Sequence, residues 1–486
     1  MKAASIVTLP IVPLLLAVIV VGVVIPVSPA HAQSKLSADS KDQEIELLKT
    51  EVRQLEQRVD ALEGLDQKVK VIDRKLEVQQ ESDQQKARAM PVVKAGAEGF
   101  SISSPSHDYN IGLGGIMQGD GRFFTSGNDK NAGGTFYLNR VRPILTGSLG
   151  EYYNFNITPD FGQGRVVLQD GYLDITYFDF ARLRTGKYKA PLDLERLQSD
   201  RDLAFSERSL IQNLVPNRDY GADLRGRLLE GRVFYDAAIM NGVPNNTAAV
   251  ESDINDGKDF VGRVFATPFE LSENHWLKNL GFGLAGSVGD ERGSTLSTYR
   301  TYGMSTYFIY NNGVSASGQR ERLEPQAYYY WRGFGLMGEY AQDQHSMNLN
   351  TTSHGKYVNR TDTFLDTGYM AQASYLLTGE DASYGWVRPY HPFDPRVGTW
   401  GAWELAVRIS NTAADPRQFK LGFASLNVAA KTATEYAAGV NWYLNSNIKW
   451  QFDYARTFFD GGAGTAAAPR DRPDESVLES QLQISF

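Results

Sequence analysis

Cysteine is absent from this chain of 486 residues, which excludes a disulfide scaffold and any thiolate metal site and suits a protein that crosses an oxidising compartment. Long apolar runs are scarce as well. Beyond Ile11 to Val27 there is no stretch of about 18 apolar residues that could span a bilayer as a helix. The six histidines, His31, His107, His275, His345, His354 and His391, stand singly. No HExxH, GxSxG or phosphate-cradling P-loop occurs, so nothing marks an enzyme. The carboxylates show no spacing that specifies a divalent ion, so no metal site and no cofactor are expected. A formal charge of −8 argues against a nucleic-acid partner.

The early apolar run follows Lys2 and precedes Ala30-His31-Ala32, a small-x-small pattern. Residues 1–32 therefore read as a secretory signal peptide with the mature chain starting at Gln33; a retained anchor helix is the alternative.

What the chain has in abundance is aromatic residues and glycine: 25 Tyr, 24 Phe, 7 Trp and 46 Gly. That mixture suits a barrel with aromatic girdles and tight turns. From about Tyr109 onward the hydrophobic period is two. Arg140 and Arg142 oppose Val141. Asn154 and Asn156 alternate with Tyr153, Phe155 and Ile157, and Asp223, Arg225 and Arg227 oppose Leu224 and Leu228. Glu404 and Arg408 oppose Trp403, Leu405, Val407 and Ile409. The last strand sets Leu478, Leu482, Ile484 and Phe486 against Glu479, Gln481, Gln483 and Ser485. So many two-faced strands with no second apolar layer need lipid as their apolar partner, which places the polar faces in a lumen. The fold class is thus all-β, a transmembrane antiparallel barrel of about 16 to 18 strands over residues 109–486, in the outer membrane of a Gram-negative cell.

A different period precedes it. Ile45, Leu48, Val52, Leu55, Val59 and Leu62 step by three and four, slip in phase around Gly64, and resume at Leu65, Val69, Ile72 and Leu76. This predicts an α-helical coiled coil in a periplasmic segment, residues 33–90, with an overwinding stammer; a lone amphipathic helix packed against another partner is the alternative. Gln79 to Ala97, polar and broken by Pro91, reads as linker, with 91–108 leading into the barrel. Inside the barrel, Ala190 to Arg218 is too irregular for a strand and too long for a turn, so it is expected to fold inward and narrow the lumen. Asn241 to Lys258, Gln342 to Asp362, Glu380 to Val397 and Asn411 to Lys431 are expected as extracellular loops.

The order of several short motifs resembles the phosphate-selective porin O and P family over most of residues 109–486. These are FYLNRVRPILTG from Phe136, LQDGYLDIT from Leu168, RTGKYKAPLDLERL from Arg184, FSER from Phe205, YMAQASYLLTGE from Tyr369, WGAWELAVRIS from Trp400 and GVNWYLN from Gly439. The resemblance implies a trimeric 16-stranded barrel with an inward-folded loop that passes small anions such as phosphate or polyphosphate by diffusion. It departs from the family at Asn139, where paired arginines are common, and in the loop, whose Arg196, Arg201, Arg208 and Arg218 are offset by Asp193, Glu195, Asp200, Asp202 and Glu207.

Anion passage needs fixed positive charge where water is scarce, and the arginine fork can donate to two phosphate oxygens at once. The candidate anion-pathway residues are Arg140, Arg142, Arg184, Arg225, Arg227 and Arg408, with Lys187 and Lys189 added by the family resemblance because their strand phase is opposite to that of Arg184. Other partners expected are outer-membrane lipid, two further copies of the chain, and the cell wall through the coiled coil. Two other functions fit the sequence: a general porin that admits cations, and a structural tether between outer membrane and cell wall.

Overall fold

The computed structural model describes residues 38–126, 134–247, 257–353 and 356–486. The expected signal peptide and its cleavage site lie outside the described residues, as does part of the loop expected at 241–258. The chain divides into two compact units, Met1–Ala87 and Arg88–Phe486.

In the first unit a single α-helix, Ala38–Ala89, carries the heptad residues. Ile45, Leu48, Val52, Leu55, Val59, Leu62, Leu65, Val69, Ile72 and Leu76 are all exposed along it. The helix runs through Gly64 and on to residue 89, so Gln79–Ala89, expected as linker, is helical. It stops just ahead of Pro91, where the proline ring disfavours helical geometry in the preceding residue.

The second unit is a closed antiparallel barrel of sixteen strands. They are β1 (Tyr109–Ser126), β2 (Thr135–Leu149), β3 (Tyr153–Asp160), β4 (Val167–Phe178), β5 (Ala181–Lys189), β6 (Arg218–Leu228), β7 (Val233–Met240) and β8 (Asp259–Ala266). The wall continues with β9 (Asn279–Gly293), β10 (Val314–Trp331), β11 (Phe334–Ser353), β12 (Lys356–Leu376), β13 (Ala402–Ala413), β14 (Ala430–Tyr443), β15 (Ile448–Thr465) and β16 (Glu475–Ser485). Each pairs with the next, and β16 returns to β1 in register from Ser476↔Ser126 to Ser485↔Ile116. Phe486 extends that seam, its N–H donating to the Gly115 carbonyl at 3.1 Å and its carbonyl accepting from Gly115 N–H at 2.9 Å. Beyond Phe486 the exposed edge of β1 is taken over by a hairpin, Val92–Gly96 and Gly99–Ser103, whose second arm pairs Phe100 with Leu113 and Ser103 with Asn110. The stretch expected as linker therefore contributes to the sheet.

Alternation along the strands follows from the two solvents. Leu478, Leu482 and Phe486 are exposed on the outer wall, while Glu479, Gln481, Gln483 and Ser485 are buried inside it. Near the end carrying the short turns, Trp403, Trp442 and Trp450 from three adjacent strands stack at 5.0 and 6.4 Å, part of an aromatic girdle.

The lumen is not empty. Residues 190–217 fold into it, and their Leu192, Leu194, Leu210, Ile211, Leu214 and Val215 are all buried. Four of them join Phe265, Met337, Ala341, Met370 and Ala433 in one apolar cluster. One arc of the inner wall is thus apolar, and the loop, not lipid, is its partner. Of the loops expected outside, Gln342–Asp362 is instead the continuing hairpin of β11 and β12, and Asn411–Lys431 contains the end of β13 and a short helix at Pro416–Lys420. Glu380–Val397 lies at the short-turn end, between β12 and β13, so it is not an extracellular loop. There Tyr384 donates its hydroxyl to the Leu194 carbonyl and stacks on Tyr328, holding the inward loop from that side.

Candidate functional site

The inward loop is pinned by polar contacts from the far wall. Asp453 accepts from Ser206 N–H at 2.9 Å and from the Ser206 and Tyr302 hydroxyls at 2.8 Å each. Lys449 Nζ donates to the carbonyls of Leu203 and Arg201 at 2.8 and 3.0 Å. Arg408 binds Glu195 at 3.2 Å, Glu435 at 2.9 Å and the Glu207 carbonyl at 3.0 Å. Those contacts press the loop to one side and leave the passage along β1 to β8.

Three cavities follow that passage. The first, about 490 Å³, opens toward the loop end; the second, about 430 Å³, lies toward the turn end. Arg142, Asp200 and Arg218 line both. A third cavity of about 320 Å³ shares Asn156 and Tyr172 with the second. The shared triad of Arg142, Asp200 and Arg218 marks the eyelet.

Asp200, at the end of the loop's first half, is the hub of the eyelet. It contacts Arg142 and Arg208 directly, with Arg140 at 3.7 Å and Arg218 at 3.8 Å. Burial alone would raise its carboxyl, but Arg208, Arg142, Arg140 and Lys189 override that and hold it well below the usual carboxylate range. Arg142 also donates Nε to Asp160 at 2.7 Å, and Arg218 forks onto Asp170 at 3.1 and 3.3 Å. Arg140 donates to Gln118 at 2.7 Å and stands 3.6 Å from Glu207.

Charge along the passage is unbalanced. The first cavity carries Arg140, Arg142, Arg165, Lys187, Arg196, Arg208, Arg218 and Arg300 against Asp160, Asp200 and Glu207. The second carries Arg142, Arg184, Lys189, Arg218, Arg225 and Arg263 against Asp170, Asp200, Asp223 and Asp236. Arg196 differs from the other arginines. Its Nη2 reaches only the Gln212 carbonyl at 3.5 Å and Asn246 Oδ1 at 3.3 Å, and its Nε has no hydrogen-bond partner among the described residues. Burial, then the nearby Arg208, push its guanidinium down to about 9.

Arg140, Arg142, Arg184, Arg225, Lys187 and Lys189 thus lie along the passage, with Arg196, Arg208 and Arg218 from the loop and its exit. Three expected residues do not. Arg408 stands behind the loop as an anchor, fully buried between two carboxylates. Arg227 is exposed near the turn end, its guanidinium 5.3 Å from the Phe234 ring. Arg201 pairs with Asp202 at 3.1 Å, away from the cavities. Lys187 and Lys189 reach the passage because alternation breaks at Gly186, whose φ of +128° and 2.2 Å approach of a virtual Cβ to the Gly171 carbonyl admit only glycine. Arg263 escaped the sequence reading although it alternates with exposed Val264; Arg165 sits in a loop and Arg300 in a two-residue strand, where no period identifies them.

A closed sixteen-stranded barrel with a lipid-facing apolar wall, a polar interior and a loop folded through its middle defines an outer-membrane porin. The family model for phosphate-selective porin O and P matches residues 111–486, and the chain belongs to that family. A curated relative, Porin O of Pseudomonas aeruginosa, is 24% identical over 400 residues, covering 74% of this chain and 86% of its own. Among solved structures, the outer-membrane channel DcaP of Acinetobacter baumannii aligns with a TM-score of 0.49 and 10% identity, covering 80% of this chain and 99% of its own. An anion-selective porin from Comamonas acidovorans aligns at 0.46 and 11%, covering 78% of this chain and 100% of its own.

Proposed function

We propose that this porin passes small anions by diffusion, with inorganic phosphate or polyphosphate as the favoured class. The observation that carries the reading is the excess of cationic side chains along the passage, eight against three and then six against four, in a chain of net charge −8. Fixed positive charge at a narrowing lowers the cost of stripping water from an anion, and several moderate sites in succession let it leave again. Membership of the phosphate-selective porin O and P family is in keeping with this reading. Reversal potentials in a salt gradient test it: anion preference is expected, and cation preference overturns it in favour of the general porin. Block of chloride current by added phosphate then separates phosphate preference from simple anion selectivity.

We also propose that three chains assemble, with the segment preceding the barrel on the periplasmic side. The continuous exposed seam from Ile45 to Leu76 supports helix pairing, while its mixture of Ile, Leu and Val does not choose between two and three strands. Cross-linking in mild detergent is expected to give trimers; monomers alone would refute the assembly. Deleting Lys41 to Gln85 assigns the contact, since trimers that survive are held by the barrel wall. Loss of envelope cohesion with unchanged conductance in the same deletion would favour a tethering role for the helix.

A further inference from the structure

Behind the inward loop, on the side away from the passage, Asp193, Glu324 and Glu339 bring one carboxylate oxygen each to within 4.8 Å of one another. Asp193 belongs to the loop, Glu324 to β10 and Glu339 to β11. All three are buried, at 0%, 1% and 5% exposure. Asp193 Oδ1 is committed to Arg196 N–H and Gln212, but its Oδ2 has no hydrogen-bond partner among the described residues. Glu339 accepts Leu194 N–H at 3.0 Å and Glu195 N–H at 2.6 Å, whereas neither oxygen of Glu324 has a hydrogen-bond partner among the described residues. The nearest cations are engaged elsewhere: Arg322 with Asp259, Asn245 and Ser287, and Arg196 with Gln212 and Asn246. A buried carboxylate aimed at two others, with no hydrogen-bond donor and with its nearest cations bonded to other groups, is costly unless something neutralises it.

We propose that this cluster binds a divalent cation, Ca²⁺, which clamps the inward loop to the barrel wall. The donors are all hard oxygens, and an O···O separation up to 4.8 Å spans an ion with Ca–O distances of about 2.4 Å. Mg²⁺ fits less well, because it retains several waters and the site is closed to solvent. The ion would tie Asp193 at the start of the loop's short helix to two adjacent wall strands. No spacing in the sequence announces the site, since its members lie 131 and 15 residues apart along the chain.

The test uses the full-length protein in detergent, stripped with a chelator and titrated with Tb³⁺ and then Ca²⁺. Tyr384, which bonds the Leu194 carbonyl, is a nearby energy donor. Wild type is expected to show tyrosine-sensitised Tb³⁺ emission that Ca²⁺ displaces, and at least ten-fold weaker binding in Glu324→Gln. Asp193→Asn, which keeps an oxygen for the helix cap, should weaken it similarly and serves if the first variant does not fold. Ca²⁺ should also slow trypsin cleavage at Arg196 and Arg201 in wild type but not in the variants. Absence of sensitised emission from folded wild type, or equal emission from the variants, overturns the proposal and leaves shared protons as the neutralising charge.

Discussion

In the proposed anion pathway Asp200 is the residue to change first, because one carboxylate there faces four arginines. Two unit charges 4 Å apart at an effective dielectric of about 20 interact by about 4 kcal/mol, several times thermal energy. Asp200→Asn should therefore raise the anion-to-cation permeability ratio several-fold and lower the phosphate concentration that blocks chloride current, both read in planar bilayers. Replacing Arg140 and Arg142 with glutamate should act oppositely, shifting the reversal potential toward the cation side while the barrel still folds. If both variants assemble and keep the wild-type ratio, the eyelet does not set selectivity. The pH dependence has a definite sign. A carboxyl held below its ordinary value, about 3.9 in an unfolded chain, contributes stability that is fully present above that value and is lost as pH falls through the depressed folded one. Titration of Asp200 should accordingly leave selectivity unchanged from pH 8 down to about pH 4.

The inward loop is the element on which the passage depends, and Arg408 holds it through Glu195 and the Glu207 carbonyl. Arg408→Ala would leave Glu195 and Glu435 buried without their cation, at a cost of about 3–5 kcal/mol. The expected outcome is faster trypsin cleavage between residues 190 and 217 together with noisier single-channel current; wild-type cleavage and noise would mean the remaining anchors suffice. Strand alternation made the wall legible from sequence, down to the inward phase of Arg140, Arg142 and Arg225. The same rule misplaced Arg408, because phase tells which face a side chain takes and not what fills the space it faces. Leu192, Leu210, Ile211 and Leu214 were equally opaque, since the single short turn at Leu210–Leu214 is too brief to establish a period and their apolar partners come from distant strands. The reversal of Glu380–Val397 to the turn end follows only from counting strands correctly, which β11 and β12 obscure by running far past the usual wall height.

On the scale of the whole molecule, a chain of net charge −8 encloses a passage of the opposite sign, so the sign of the protein and the sign of its lumen are independent. The screening length falls from about 10 Å in 0.1 M salt to about 3 Å in 1 M. The anion-to-cation permeability ratio should therefore be largest in dilute electrolyte and shrink toward unity as salt rises; a ratio independent of salt would point to selection by size alone. The two cavities that meet at Asp200 are also unequal, with an excess of five cations on the loop side and two on the turn side. Fixed charge graded along a conduit makes it an ionic diode: mobile carriers accumulate under one voltage polarity and deplete under the other. A bilayer holding channels in a single orientation should give a curved, rectifying current–voltage trace, and inserting the same channels from the opposite face should mirror it.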